Sequence, residues 1–126
     1  MAEPGARRVR DLLAGGIAAT SRLSEVEVAS ALSRRCREGA FPPEERDRAI
    51  AALHRDFATL FIVELGPEVV ERAVALLARL ALRAADSIQL ASCLELREQL
   101  GAPCLFVCGD ARLIVAARRE GLATAP

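Results

Sequence analysis

Apolar positions along the chain alternate between short continuous runs and longer stretches with helical spacing, and Gly and Pro separate the two. The spacing of Val9, Leu12 and Leu13 predicts a helix over residues 5–14, ended by Gly15-Gly16. Ile17-Ala18-Ala19-Thr20-Ser21 fits a short buried strand, and a second helix is expected from about Ser24 to Arg37 with Gly39 closing it. Pro42-Pro43-Glu44-Glu45 opens a third helix that runs to about Phe57, since Pro is tolerated in the first turn and acids there complement the helix dipole. The next strand is expected over residues 60–65. Gly66-Pro67-Glu68 then turns into a helix carrying Val69, Val70, Ala73, Val74, Leu77 and Leu80, followed by one that holds Asp86 and ends near Leu100-Gly101. Cys104-Leu105-Phe106-Val107-Cys108 reads as a strand buried on both faces. A last helix over residues 111–120, capped by Gly121, and a short strand over residues 122–124 complete the pattern. Alternating strands and helices predict an α/β layer fold with a mostly parallel sheet, in a single domain over residues 1–126.

Composition narrows the chemistry. Hydrophobic residues make up 52% and aromatics 3%, so the core has to be built from Ala, Leu, Val and Ile. Lys+Arg and Asp+Glu are both 17, so any nucleic-acid contact has to be local rather than driven by net charge. All the basic residues are Arg; without Lys there is no Walker-type phosphate loop and no Schiff-base chemistry. The single histidine, His54, sits in a helical stretch with no nucleophile elbow nearby and is expected to be a partly exposed helical residue. Cys36, Cys93, Cys104 and Cys108 form no C-x-x-C pair and are read as small buried hydrophobes in a reduced, cytoplasmic protein without zinc. Every apolar run is broken by Arg, Asp or Glu within a few turns, so no membrane span is expected.

Three acids stand out. Asp86 lies near the start of a helix that is otherwise largely Ala, Leu and Ile, where a charge needs a cation or donors to meet it. Asp110 follows the Cys108 strand by two residues, and Glu27 follows the first strand by a few, both at strand carboxyl ends where open parallel sheets gather ligands. Each also has a purely structural explanation. Ser24-x-x-Glu27 matches a capping box, which is the favoured reading of Glu27 taken alone. Asp110 suits a helix N-cap, and Asp86 suits a first helical turn.

Together, Ser21-Arg22-Leu23-Ser24-Glu25-Val26-Glu27-Val28-Ala29-Ser30-Ala31-Leu32, Leu82-Arg83-Ala84-Ala85-Asp86-Ser87-Ile88-Gln89-Leu90-Ala91 and Phe106-Val107-Cys108-Gly109-Asp110-Ala111-Arg112-Leu113 resemble the three later acidic motifs of PIN domains, specifically the VapC-type toxin ribonucleases. The resemblance covers essentially the whole chain, in order. It implies a three-layer α/β/α fold with sheet order 3-2-1-4-5. It also implies that Glu27, Asp86 and Asp110 are catalytic and bind Mg²⁺ or Mn²⁺, and that the substrate is RNA, cleaved at a phosphodiester. A cognate small antitoxin and a homodimer follow from the same resemblance. Hard divalent cations take oxygen ligands, so the implied ligand set is chemically coherent. Arg22, Arg83 and Arg112 flank the motifs and are candidates for phosphate contacts, although surface solvation is the simpler account of each.

The family opens with a central strand carrying an Asp followed by Ser or Thr. Met1-Ala2-Glu3-Pro4-Gly5 resembles the segment just after that strand and its short helix, and Glu3 is no substitute for the acid. The expectation is a reading frame that starts late; a chain truly beginning at Met1 is expected to bind metal poorly, cleave weakly, and cover the gap by dimerisation or a partner. Cys108 is a smaller departure, standing where the family more often has Thr or Ser. Two other functions remain as alternatives, a catalytically silent PIN-like binding or assembly protein and an RNA-processing nuclease without an antitoxin.

Overall fold

A computed structural model describes residues 17–126, so the expected helix over residues 5–14 and the Met1–Gly5 segment lie outside the described residues. Five helices and four strands follow in order: β1 (Ala19–Ser21), α1 (Leu23–Arg37), α2 (Pro43–Phe57), β2 (Phe61–Val63), α3 (Pro67–Leu77), α4 (Ala84–Leu100), β3 (Leu105–Val107), α5 (Ala111–Arg119) and β4 (Ala123–Ala125). Helix starts follow local chemistry. Pro43 and Pro67 occupy first-turn positions of α2 and α3, where a missing N–H costs nothing, and Glu44, Glu45 and Glu68 sit at the positive end of the dipole. At the other end of α4, Gly101 adopts φ 61° and its N–H closes on the Arg97 carbonyl at 3.0 Å.

The strands pair in parallel, as expected. β1 lies beside β2 with Ala19 opposite Phe61, and β3 lies beside β4 with Leu105 opposite Ala123. Among the described residues these are two separate two-stranded sheets. The order 3-2-1-4-5, with its first strand set aside, divides into the pairs 3-2 and 4-5, and these are the two pairs seen.

The core runs along α3, α4 and α5. Val69, Ala73 and Leu76, spaced to share one face of α3, pack toward Leu90, Ala91 and Leu94 of α4, and Phe106, Leu113, Ala116, Ala117 and Leu122 extend the cluster. Helices α1 and α2 contribute no fully buried residue and lie against each other at its edge. α4 touches β1, α1, α3 and α5 and so ties the two sheets together.

Several expectations need correction. The strand at Phe106 is not buried on both faces: Phe106 is 8% exposed, whereas Leu105 and Val107 are 46% and 41% exposed. With a period of two, only Phe106 reaches the core, and Val107 faces a cavity. The helix from Pro67 ends at Leu77, yet Leu80 still packs on the core from the following turn. The last strand lies one residue later than the pattern suggested. The four cysteines are free but half-buried rather than fully buried, and burial pushes the Cys93 thiol up to about 11. His54 is a helical residue with its side chain 62% exposed, 3.6 Å from the Glu25 carboxylate.

α5 is tied back to the turn after α3 by Arg79, which donates to the Glu120 carboxylate at 2.7 and 3.0 Å. These bonds hold the Glu120 carboxyl below the usual carboxylate range. A carboxyl lowered in the folded state stabilises above the unfolded value of about 4.3, and that contribution is lost as pH falls through the folded value. Glu120→Gln should therefore unfold at lower urea than the wild type at pH 7, with the difference shrinking toward pH 3; equal urea midpoints for the two proteins at pH 7 would contradict this.

Candidate active site

The carboxyl ends of β1 and β3 open onto a cavity of about 370 Å³ whose lining includes Glu27, Asp86 and Asp110 together with Thr20, Ser24, Gln89 and Cys108. The three acids singled out from the sequence thus meet at one pocket, each delivered by a different helix. Glu27 projects from the second turn of α1, Asp86 from the first turn of α4, and Asp110 is the N-cap of α5.

Asp110 and Asp86 take the local roles that the sequence favoured, and Glu27 does not. Asp110 does cap its helix, its Oδ1 accepting from the Arg112 and Leu113 amides at 2.8 and 3.2 Å. Asp86 is a first-turn acid, half-buried, with Arg83 Nε 3.5 Å from its Oδ2. Glu27 forms no capping box. α1 begins at Leu23 with Arg22 as N-cap, so Ser24 already lies inside the helix, and Ser21 Oγ instead accepts from the Leu23 amide at 3.1 Å. Glu27 Oε1 accepts a 2.6 Å bond from Gln89 Nε2 of α4.

Gln89, Ser24 and Thr20 were missed as candidate functional residues. Gln89 Nε2 also donates to Ser24 Oγ at 2.9 Å, and Ser24 Oγ meets Thr20 Oγ1 at 2.7 Å. Their sequence signal is spacing: Gln89 stands three residues after Asp86, on the same helical face, and Ser24 three before Glu27. Of the flanking arginines, Arg22 is taken up by Glu64 and, at 2.8 Å, by Glu25, which raises its pKa mainly through the Glu64 hydrogen bonds. Arg83 is 85% exposed beside Asp86. None of Arg22, Arg83 and Arg112 lines the cavity.

The donor set suits a hard divalent cation, since the three carboxylates and the Thr20 and Ser24 hydroxyls all offer oxygen. Glu27 Oε2, Asp86 Oδ1 and Asp110 Oδ2 have no hydrogen-bond or ion-pair partner among the described residues. The three carboxylates line the pocket without closing into one ligand group, and no set of three His, Cys, Asp or Glu is gathered tightly enough to hold a metal among the described residues. Negative charge nevertheless converges there: burial raises the Cys108 pKa, with Asp110 and Asp86 adding to the rise and the Asp110 amide opposing it.

No curated protein matches the chain. A family model described as PIN domain matches residues 2–117. PIN domains are generally nucleases that act on nucleic acids and use divalent metal ions. With that match over most of its length, and with its parallel strand pairs and helices in the expected order, the chain belongs to the PIN-domain family.

Proposed function

We propose that this protein is a metal-dependent endoribonuclease, the VapC-type toxin of a toxin-antitoxin pair, working as a single domain in the cytoplasm and held in check by a small antitoxin as a homodimer. The observation that carries the reading is the convergence of Glu27, Asp86 and Asp110, from three helices, on one pocket at the strand carboxyl ends. In this proposal those three carboxylates hold Mg²⁺ or Mn²⁺. A cation bound there would supply positive charge that offsets the converging carboxylates and the phosphate being cleaved. The chain's own contribution is to fix the acids: the α5 amides restrain Asp110, and Gln89 restrains Glu27.

A second reading is a PIN-like binding or assembly module without catalysis. It is favoured by one observation, that the acids do not close into a ligand group among the described residues. An RNA-processing nuclease without an antitoxin shares the chemistry of the first reading but not its partner.

Calorimetric titration with Mn²⁺, paired with cleavage of a fluorogenic RNA, separates them. The nuclease should bind the ion and cleave, and both should be lost in Asp110→Asn. Asn caps a helix as well as Asp does, so this change removes charge while sparing α5. Wild-type protein that binds Mn²⁺ but cleaves no RNA would favour the silent module.

A further inference from the structure

Glu27 is an exposed residue on a helix with no buried position, and a glutamate so placed ordinarily samples many rotamers. Here it does not stand alone. Both amide protons of Gln89 are spent in the pocket, one on Glu27 Oε1 at 2.6 Å and one on Ser24 Oγ at 2.9 Å. The orientation of the amide is fixed by charge, because a flipped Gln89 would turn its carbonyl oxygen onto the Glu27 carboxylate. Ser24 is in turn held by Thr20 at 2.7 Å, so the amide is braced from β1 as well as from its own helix. Gln89 and Asp86 stand three residues apart on α4 and both line the cavity.

We propose that Gln89 is a positioning residue: its side-chain amide, braced by Ser24 and Thr20, draws the Glu27 carboxylate toward the wall that carries Asp86 and leaves Glu27 Oε2 free for a divalent cation. The inference rests on the nuclease reading of the pocket and adds a residue to it. An amide donating to one oxygen of a ligating carboxylate restricts its rotamers before the ion arrives. Outer partners of this kind are typically worth about 10- to 100-fold in metal affinity.

The test is calorimetric titration of the full chain with Mn²⁺, beside urea unfolding of the metal-free protein. Gln89→Leu keeps the side-chain bulk and removes both donors. It should weaken Mn²⁺ binding by roughly 10- to 100-fold while the metal-free urea midpoint stays at the wild-type value, a split that a merely structural role would not produce. Ser24→Ala should lose affinity severalfold, and Ser24→Thr, which restores the hydroxyl, should recover most of that loss. Wild-type Mn²⁺ affinity in Gln89→Leu overturns the proposal while leaving the nuclease reading intact. Should Gln89→Leu fail to fold, equal affinities in the two Ser24 variants overturn it instead. Absence of Mn²⁺ binding in the wild type overturns both.

Discussion

If the pocket is the proposed nuclease site, Asp86→Asn is expected to lower the rate of metal-dependent RNA cleavage by about 10²- to 10³-fold, the scale on which losing one preorganised electrostatic group of an active site is felt. Asn has the shape of Asp without its charge, so the change reaches the pocket's chemistry and little else. Two structural contributions are lost with the charge, and both are small. A first-turn acid is worth about 0.3–1 kcal/mol through the helix dipole. The pairing with Arg83, whose side chain is 85% exposed at 3.5 Å, is screened by solvent. Initial rates in Mg²⁺ or Mn²⁺ and a thermal melt of the same preparation check both halves of the expectation. Full cleavage by Asp86→Asn would remove this carboxylate from the mechanism; a lost fold would show that the charge serves packing.

Leu90→Ala should do the opposite, unfolding the protein without touching the acids. Leu90 is 0% exposed, one turn beyond Asp86 on α4, in the same cluster as Leu76 and Phe106. Truncating a buried Leu costs about 2–5 kcal/mol through lost transfer energy and the cavity left behind. Against a total of roughly 5–15 kcal/mol for a domain, that is a large fraction. The site is at the severe end because the cluster it belongs to draws on α3, α5 and β3, which cannot all close in on the gap left by an isopropyl group. Urea denaturation followed by circular dichroism measures the loss directly, and a change below about 1 kcal/mol would mean the core repacks around the gap.

Helices were legible in the sequence because their signals are local. Pro43 and Pro67 mark two starts, and Gly101 and Gly121, with φ 61° and 83°, mark two ends. The boundary at Arg37 follows from the same kind of cue, Gly39 lying two residues beyond it. The strands were found but not their environment. Each is three residues long, and a run as apolar as that around Phe106 does not say which of its faces is covered. The Glu27 site shows the limit most clearly. Ser-x-x-Glu is a good local pattern for a cap, and the chain nevertheless begins α1 one residue before Ser24. That shift frees both side chains for Gln89, a partner 62 residues from Glu27 and invisible to any short-range rule.

The two sheets give the pocket an unusual mechanics. Glu27 follows β1, Asp110 follows β3, and among the described residues no hydrogen-bond ladder runs between those strands. Among the described residues it is α4, packed on β1, α1 and α5, that connects the two sides of the pocket, through side-chain packing rather than through a shared ladder. In this frame α4 is the spine of a clamp, with Glu27 on the jaw that follows β1 and Asp110 on the jaw that follows β3. Substitutions deep in the α3–α4 contact, far from any acid, are therefore expected to reach the pocket through α4.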